Sequence, residues 1–262
     1  MDIDLYQVDA FATGEPFTGN PAAVCPLDGW LPDAVMQAIA AENNLAETAF
    51  FVPEGDGYRL RWFTSTTEVD LCGHATLAAA FVVFGWLAPW RRGITFQTEK
   101  AGPLTVTRAG DRLALDFPSR PPQRLEISDA VAAALGKRPT ALLAARDYLA
   151  VFECAEDVAA VTPDFAAVAA LDRFAVIVTA PGKDGIDFVS RFFAPARGVD
   201  EDPVTGSAHC TLIPYWAERL GKTRLEARQL SRRGGALSCE LRGDRVTIAG
   251  RAALYLTGTI SL

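Results

Sequence analysis

The chain has only two histidines, His74 and His209, so a ligand cluster of the H-E-x-x-H kind is absent. Its five cysteines are Cys25, Cys72, Cys154, Cys210 and Cys239, and no two form a C-x-x-C pair. An odd count without close spacing argues against a disulfide framework and against a structural zinc site. Lysine and arginine never gather in more than short clusters, and the net charge is −7. That excludes a phosphate-binding face, which needs concentrated positive charge, and with it a nucleic-acid partner. The longest apolar run, Ala75–Ala88, carries Gly85 and is too short to span a bilayer. The opening MDIDLYQVDAFATGEPF is acidic and alternating, unlike a signal peptide. No G-x-x-x-x-G-K-[ST] occurs, and no G-x-G-x-x-G follows a strand, so nucleotide and dinucleotide cofactors have no seat. The expectation is a soluble, cytoplasmic protein with no metal, no organic cofactor, and no membrane partner.

About half of the 262 residues are apolar, enough for one large domain or two smaller ones. Alternation predicts strands at Ile3–Phe11, Thr48–Val52, Tyr58–Phe63, Ile94–Thr98, Leu104–Arg108 and Arg112–Phe117. Phe17–Val24 holds the turn signals Gly19-Asn20-Pro21 and then enters a short strand. Helices are predicted at Leu31–Leu45, with Pro32 in its first turn, and at Gly73–Phe84, ending near Gly85. Three prolines within Pro118–Pro122 cannot continue a sheet interior and mark a linker between halves. Beyond it come helices at Ser128–Leu135, Pro163–Leu171 and Gly206–Leu220. Strands are predicted at Tyr148–Cys154, Phe174–Thr179, Phe188–Phe193, Leu225–Leu230, Ala236–Leu241, Arg245–Ile248 and Ala253–Ile260. Many antiparallel-looking strands with one or two helices per half give an α+β class.

The halves contain an internal repeat. Arg61-Trp62-Phe63 matches Arg191-Phe192-Phe193, and Val69-Asp70 matches Val199-Asp200 at the same distance from the arginine. Each copy then meets a glycine that opens an apolar helix, Gly73-His74-Ala75 in one and Gly206-Ser207-Ala208 in the other. This register sets His74 opposite Ser207. A helix start leaves N–H groups without partners and carries partial positive charge. Glycine there lets a ligand approach the backbone. Two such starts facing across one cleft would hold a carboxylate or a developing enolate. The plain alternative is two ordinary helix caps in a duplicated fold.

Glu47 sits where a helix meets the apolar strand Ala49-Phe50-Phe51, so its carboxylate is partly withdrawn from water and suited to moving protons. It also fits an edge glutamate with no chemical role. Asp202 follows Asp200 and Glu201 just before a helix. Crowded carboxylates can make an acid, or can simply complement the helix dipole. His74 is a candidate acid, base or donor. Cys72 precedes the same helix end, where a thiol pKa tends to fall, yet as a small buried residue it needs no function. Cys25, Cys154 and Cys239 read as packing residues, and His209, inside the second helix, as structural.

The set Phe17-Thr-Gly-Asn-Pro21, Asn44-Leu-Ala-Glu47-Thr48, Gly73-His74 and Asp202-x-x-Thr205-Gly206-Ser207 resembles the PhzF-like phenazine-biosynthesis family, over nearly the whole chain. The resemblance implies the diaminopimelate epimerase fold, with two similar α+β halves, each a barrel-like, mostly antiparallel sheet around a central helix. It also implies a homodimer without metal or organic cofactor. The first half would be 1–117 with the returning strand 253–262, and the second 118–252. Glu47 matches the family's acid/base glutamate, which moves a proton from one substrate carbon to another. His74 and Asp202 match residues that bind or polarise the substrate. Ser207, with the N–H groups of Gly73 and Gly206, matches a carboxylate site, and Asn20 and Cys72 fall among the substrate contacts.

This chain departs from the phenazine enzyme in having Cys72 before Gly73-His74 and Ala75 in place of a proline. Cys-Gly-His is similar to the first thiol motif of proline racemases and diaminopimelate epimerases. The second loop has Asp202, Pro203 and Val204 and no matching cysteine. The expected activity is a cofactor-independent isomerisation of a small carboxylate-bearing substrate. A racemase or epimerase using Cys72, and a non-catalytic small-molecule-binding protein, are the alternatives.

Overall fold

The computed structural model describes residues 1–262. They divide into two units, Met1–Asp116 with Ala249–Leu262, and Phe117–Ile248.

The first unit begins with the antiparallel strands β1 (Asp2–Ala12) and β2 (Asn20–Pro26). Gly19 ends the turn between them with φ +88°, and a Cβ there would meet the Ala10 carbonyl oxygen at 2.6 Å. Only glycine fits that backbone and that approach. Helix α1 (Asp33–Asn43) follows, with Pro32 as its N-cap and Asn44 left-handed at its end. Strands β3 (Glu47–Glu54), β4 (Gly57–Phe63) and the two-residue β5 (Glu68–Val69) lead to α2 (Gly73–Val82). Helix α2 is apolar all round, and every residue from His74 to Ala80 is buried, as expected of a helix enclosed in a core. It runs on as a π-helical turn over Val83–Leu87. Strands β6 (Gly93–Gln97), β7 (Leu104–Ala109) and β8 (Arg112–Pro118) follow. The sheet order is β1-β2-β3-β4-β6-β7-β8. β2/β3 and β4/β6 are parallel, because α1 and α2 carry the chain back between them.

The second unit repeats this plan. Its elements are β9 (Gln123–Leu125), α3 (Asp129–Leu135), β10 (Ala141–Ala144), β11 (Tyr148–Val151), α4 (Ala155–Ala159), α5 (Phe165–Ala169), β12 (Val176–Pro181), β13 (Phe188–Phe193), α6 (Gly206–Leu220), β14 (Arg224–Gln229) and β15 (Gly235–Arg242). The order β9-β10-β11-β12-β13-β14-β15 again has two parallel pairs, β11/β12 and β13/β14, and crossover helices again separate them. The last residue of β4, Phe63, pairs with Thr48 near the start of β3, and the last of β13, Phe193, pairs with Val176 at the start of β12. The apolar cluster beneath includes Val131, Leu135, Phe152, Val178 and Phe193.

The last strand, β16 (Arg245–Ser261), is continuous over 17 residues, where two strands were expected. Within the first unit its final stretch pairs antiparallel with β1, from Asp2 opposite Ser261 to Ala12 opposite Arg251. The strand expected at Tyr148–Cys154 ends at Val151, and Cys154 instead caps α4 and is partly exposed. No helix is long and apolar enough to cross a membrane.

Candidate active site

In the first unit, three elements bring Asn20, Glu47, Cys72 and His74 together. Asn20 is the first residue of β2, Glu47 the first of β3, and Cys72 and His74 flank Gly73 at the start of α2. His74 Nδ1 faces Asn20 Nδ2 at 3.1 Å and Cys72 Sγ at 3.4 Å. On the opposite edge of the ring, Nε2 lies 3.1 Å from Glu47 Oε2. At that distance the protonated ring and the carboxylate form an ion pair, and both atoms are sealed from water without another partner. The His74 side chain is 6% exposed and that of Glu47 15%. The start of α2 has no side-chain cap, whereas α3 and α5 are capped by Ser128 and Asp164.

Burial disfavours the charged ring of His74. Its interactions with Cys72 and Glu47 outweigh burial, and His74 titrates well above an ordinary histidine. Burial, and then the Glu47 carboxylate, push the Cys72 thiol up to about 11. This reverses the expectation that the helix start lowers it. The thiol is buried, so desolvation of a thiolate exceeds anything the helix end returns. Cys72 is therefore a neutral thiol near pH 7.

Glu47, Cys72 and His74 offer one oxygen, one sulfur and one nitrogen within 4.8 Å of one another. The thiol stands at Nδ1 and the carboxylate at Nε2, and an imidazole gives one nitrogen to an ion. The same three groups can pass a proton along the ring.

In the second unit, Asp202, Gly206 and Ser207 lie at the start of α6, as the sequence places them. The Thr205 hydroxyl donates a short hydrogen bond to Asp202 Oδ2. Buried Gln229 ties this loop together. Its Oε1 accepts from Thr205 N at 2.9 Å, and its Nε2 donates to the Asp202 carbonyl at 2.8 Å. Glu201 is held by Arg191, leaving Asp202 as the carboxylate committed to the helix start. His209 is fully buried, bonds the Thr205 carbonyl through Nδ1 at 2.8 Å, and is pushed by burial down to about 4, a structural residue as read. Cys210 lies buried within α6 and offers no second thiol at its start. Sequence reasoning missed Gln229, Arg146 and Asp147. Arg146 Nη2 donates to Ser207 Oγ at 3.2 Å, much as Asn20 contacts His74 in the first unit. The repeat register, which pairs Ser207 with His74, was the available signal.

Two units with one strand plan, and a glycine-led buried helix in each, define the diaminopimelate epimerase-like fold. A probable proline racemase from Agrobacterium radiobacter K84 shares it at TM-score 0.66 and 12% identity, over 99% of this chain and 93% of that one. The family model for phenazine biosynthesis-like proteins, PhzC-PhzF, matches residues 8–258, and the chain belongs to this family. An uncharacterized isomerase of Pseudomonas aeruginosa is 53% identical over the full length of both chains. A PhzF-family protein of Enterococcus faecalis, known from a crystal structure, superposes at TM-score 0.97 with 51% identity and full coverage of both. The chain is an isomerase of the PhzF-like kind.

Proposed function

We propose that Glu47 takes a proton from one carbon of a small carboxylate-bearing substrate and returns it to another, without a cofactor. The single observation that supports this is the buried pair Glu47 Oε2 and His74 Nε2, 3.1 Å apart with no other partner. A base and a proton donor held side by side can act together on one substrate. The raised affinity of His74 for its proton equips it to donate toward a substrate oxygen while Glu47 works at carbon. Either protonation state of Nδ1 can be accommodated, because the Asn20 amide can present its nitrogen or its oxygen.

For Asp202 and Ser207 we keep the substrate-binding role that the family resemblance implies. Their replacement by Asn and Ala is expected to raise KM more than it lowers kcat. The homodimer implied by the same resemblance is checked by light scattering of the purified protein.

The test is hydrogen exchange at carbon in deuterated water across a panel of unsaturated and hydroxylated carboxylic acids. Glu47→Gln is expected to lower exchange of any acid that the wild type turns over by about 10²–10⁴-fold, the usual worth of a general base. Wild-type exchange in that variant would show that the base lies elsewhere.

A further inference from the structure

One carboxylate oxygen, one sulfur and one ring nitrogen within 4.8 Å of one another, from Glu47, Cys72 and His74, are also the donor set of a soft divalent cation, zinc above all. Zinc holds such donors at about 2.0–2.3 Å in a tetrahedron, so neighbouring donors stand roughly 3.3–3.7 Å apart. Cys72 Sγ is 3.4 Å from His74 Nδ1, and Glu47 Oε2 is 3.1 Å from Nε2. One edge of the tetrahedron is therefore close to formed, whichever ring nitrogen turns to the ion. The remaining donor starts no farther than 4.8 Å away and has to close by about 1–1.5 Å.

Burial and charge agree with that donor set. Cys72 is 6% exposed, and the side chains of His74 and Glu47 are 6% and 15% exposed. An ion placed there must have its charge cancelled by its ligands. A carboxylate and a thiolate cancel a divalent charge, and a neutral imidazole adds none. The donors stand on regular elements, at the first residue of β3 and on both flanks of Gly73 at the start of α2. Glu47 Oε2 and His74 Nε2 have no partner besides each other, so an ion between them displaces one contact only. The Asn20 amide, 3.1 Å from Nδ1, can turn its oxygen to that nitrogen when Nε2 holds the ion, the outer partner that a ligating histidine needs. The other partly exposed thiol near carboxylates, Cys154, lacks this: Glu156 is held by Lys183 and Asp157 by Lys137.

We propose that Glu47, Cys72 and His74 form an inhibitory zinc site. The ion takes three protein ligands and leaves its fourth position to water. Binding releases the thiol proton, and the ring proton where the ring is charged, to solvent. Zinc then occupies the carboxylate and the imidazole that would otherwise handle substrate protons. The inhibitory consequence rests on the proton-transfer reading, whereas the binding of zinc does not.

The experiment titrates zinc chloride into chelator-treated protein by calorimetry. One ion per chain is expected to bind saturably. Cys72→Ser and His74→Gln are each expected to weaken it at least about 100-fold, since an outer-shell partner alone is worth about 10–100-fold. Cobalt in place of zinc is expected to give a thiolate-to-metal absorption band that Cys72→Ser abolishes. Magnesium, which takes oxygen donors and keeps its water, is expected not to compete. Cys154→Ser is expected to bind zinc as the wild type does. Absence of saturable binding overturns the proposal, and so does zinc that stays bound in Cys72→Ser or is lost in Cys154→Ser. Cys72→Ser exchanges a single atom, so it decides the matter should His74→Gln fold poorly. In the carbon-exchange assay zinc is expected to stop exchange and a chelator to restore it, and stimulation by zinc would overturn the inhibitory role. The calorimetry uses no substrate, so a failure of the proton-transfer reading leaves the zinc result standing.

Discussion

Arg191 holds Glu201 by two parallel hydrogen bonds, Nε to Oε1 at 2.7 Å and Nη2 to Oε2 at 2.9 Å. In the matching position of the first unit, Arg61 holds Glu68 in the same way at 2.7 and 2.7 Å. Each arginine also lies over the phenylalanine two residues on, Phe193 and Phe63. The pair pins the loop that leads to the site helix in both units.

The two clamps differ in burial, and their removal is expected to differ in cost. Arg191 and Glu201 are 12% and 21% exposed, and Arg191 Nη1 also donates to the Val161 carbonyl. Arg191→Ala is expected to destabilise the protein by about 3 kcal/mol, the cost of breaking a largely buried pair. Arg61 works with the exposed Asp33 and the half-exposed Glu68, and Arg61→Ala should cost about 1 kcal/mol. Urea unfolding of the two variants compares them, and equal losses would contradict the ordering.

Acid stability should depend on His209. Burial holds its folded-state pKa near 4, below the ordinary value of 6.5. The neutral ring therefore contributes stability above pH 6.5, and this contribution is lost as the pH falls through 6.5 toward 4. The loss amounts to roughly 3 kcal/mol. Urea midpoints measured between pH 7 and pH 4 should fall less steeply in His209→Gln than in the wild type. His74 acts with the opposite sign: its pKa is raised, so its contribution is present at low pH and lost as the pH rises through the folded-state value.

Cys72→Ala separates proton transfer by Glu47 from thiol chemistry. Carbon exchange is expected to stay within about three-fold of wild type, well short of the loss that follows removal of a general base. A loss comparable to that of Glu47→Gln would favour the racemase reading. Alkylation of Cys72 by iodoacetamide should be slow near neutral pH, because the thiol is 6% exposed and titrates at about 11.

Gly19→Ala is expected to cost about 1–3 kcal/mol through backbone strain. It should also lower kcat, since the Cβ would press on the carbonyl of Ala10, which pairs across the ladder with Asn20, the partner of His74 Nδ1. Substitution at Gly55, also at positive φ but with open space around it, should leave kcat unchanged.

The helix α6 was legible to the residue because its boundaries are chemical. Gly206 opens it, and Gly221 closes it in the left-handed conformation. Glu47, Cys72, Gly73 and His74 were legible because each stands at the end of a long, patterned element. The elements β9, β10 and α4 were not, since three to five residues are too few to show a period. The strands expected at Arg245–Ile248 and Ala253–Ile260 are one, with Gly250 between them. Its lack of a side chain admits Phe11, which a Cβ would meet at 2.3 Å, so the strand continues through it. Arg146 and Gln229 carry no motif. They acquire meaning only when the chain brings them to a helix start 61 and 24 residues away.

The pairing of β16 with β1 has a consequence for synthesis. Most of the unit that contains Glu47 and His74 precedes the second unit in the chain, yet the strand that covers the edge of β1 follows that second unit. Until then β1 offers an open row of backbone donors and acceptors to any passing chain. The nascent protein thus has a vulnerable interval that spans translation of the whole second unit. Loss of the stretch from Arg251 to Ser261 would make that interval permanent.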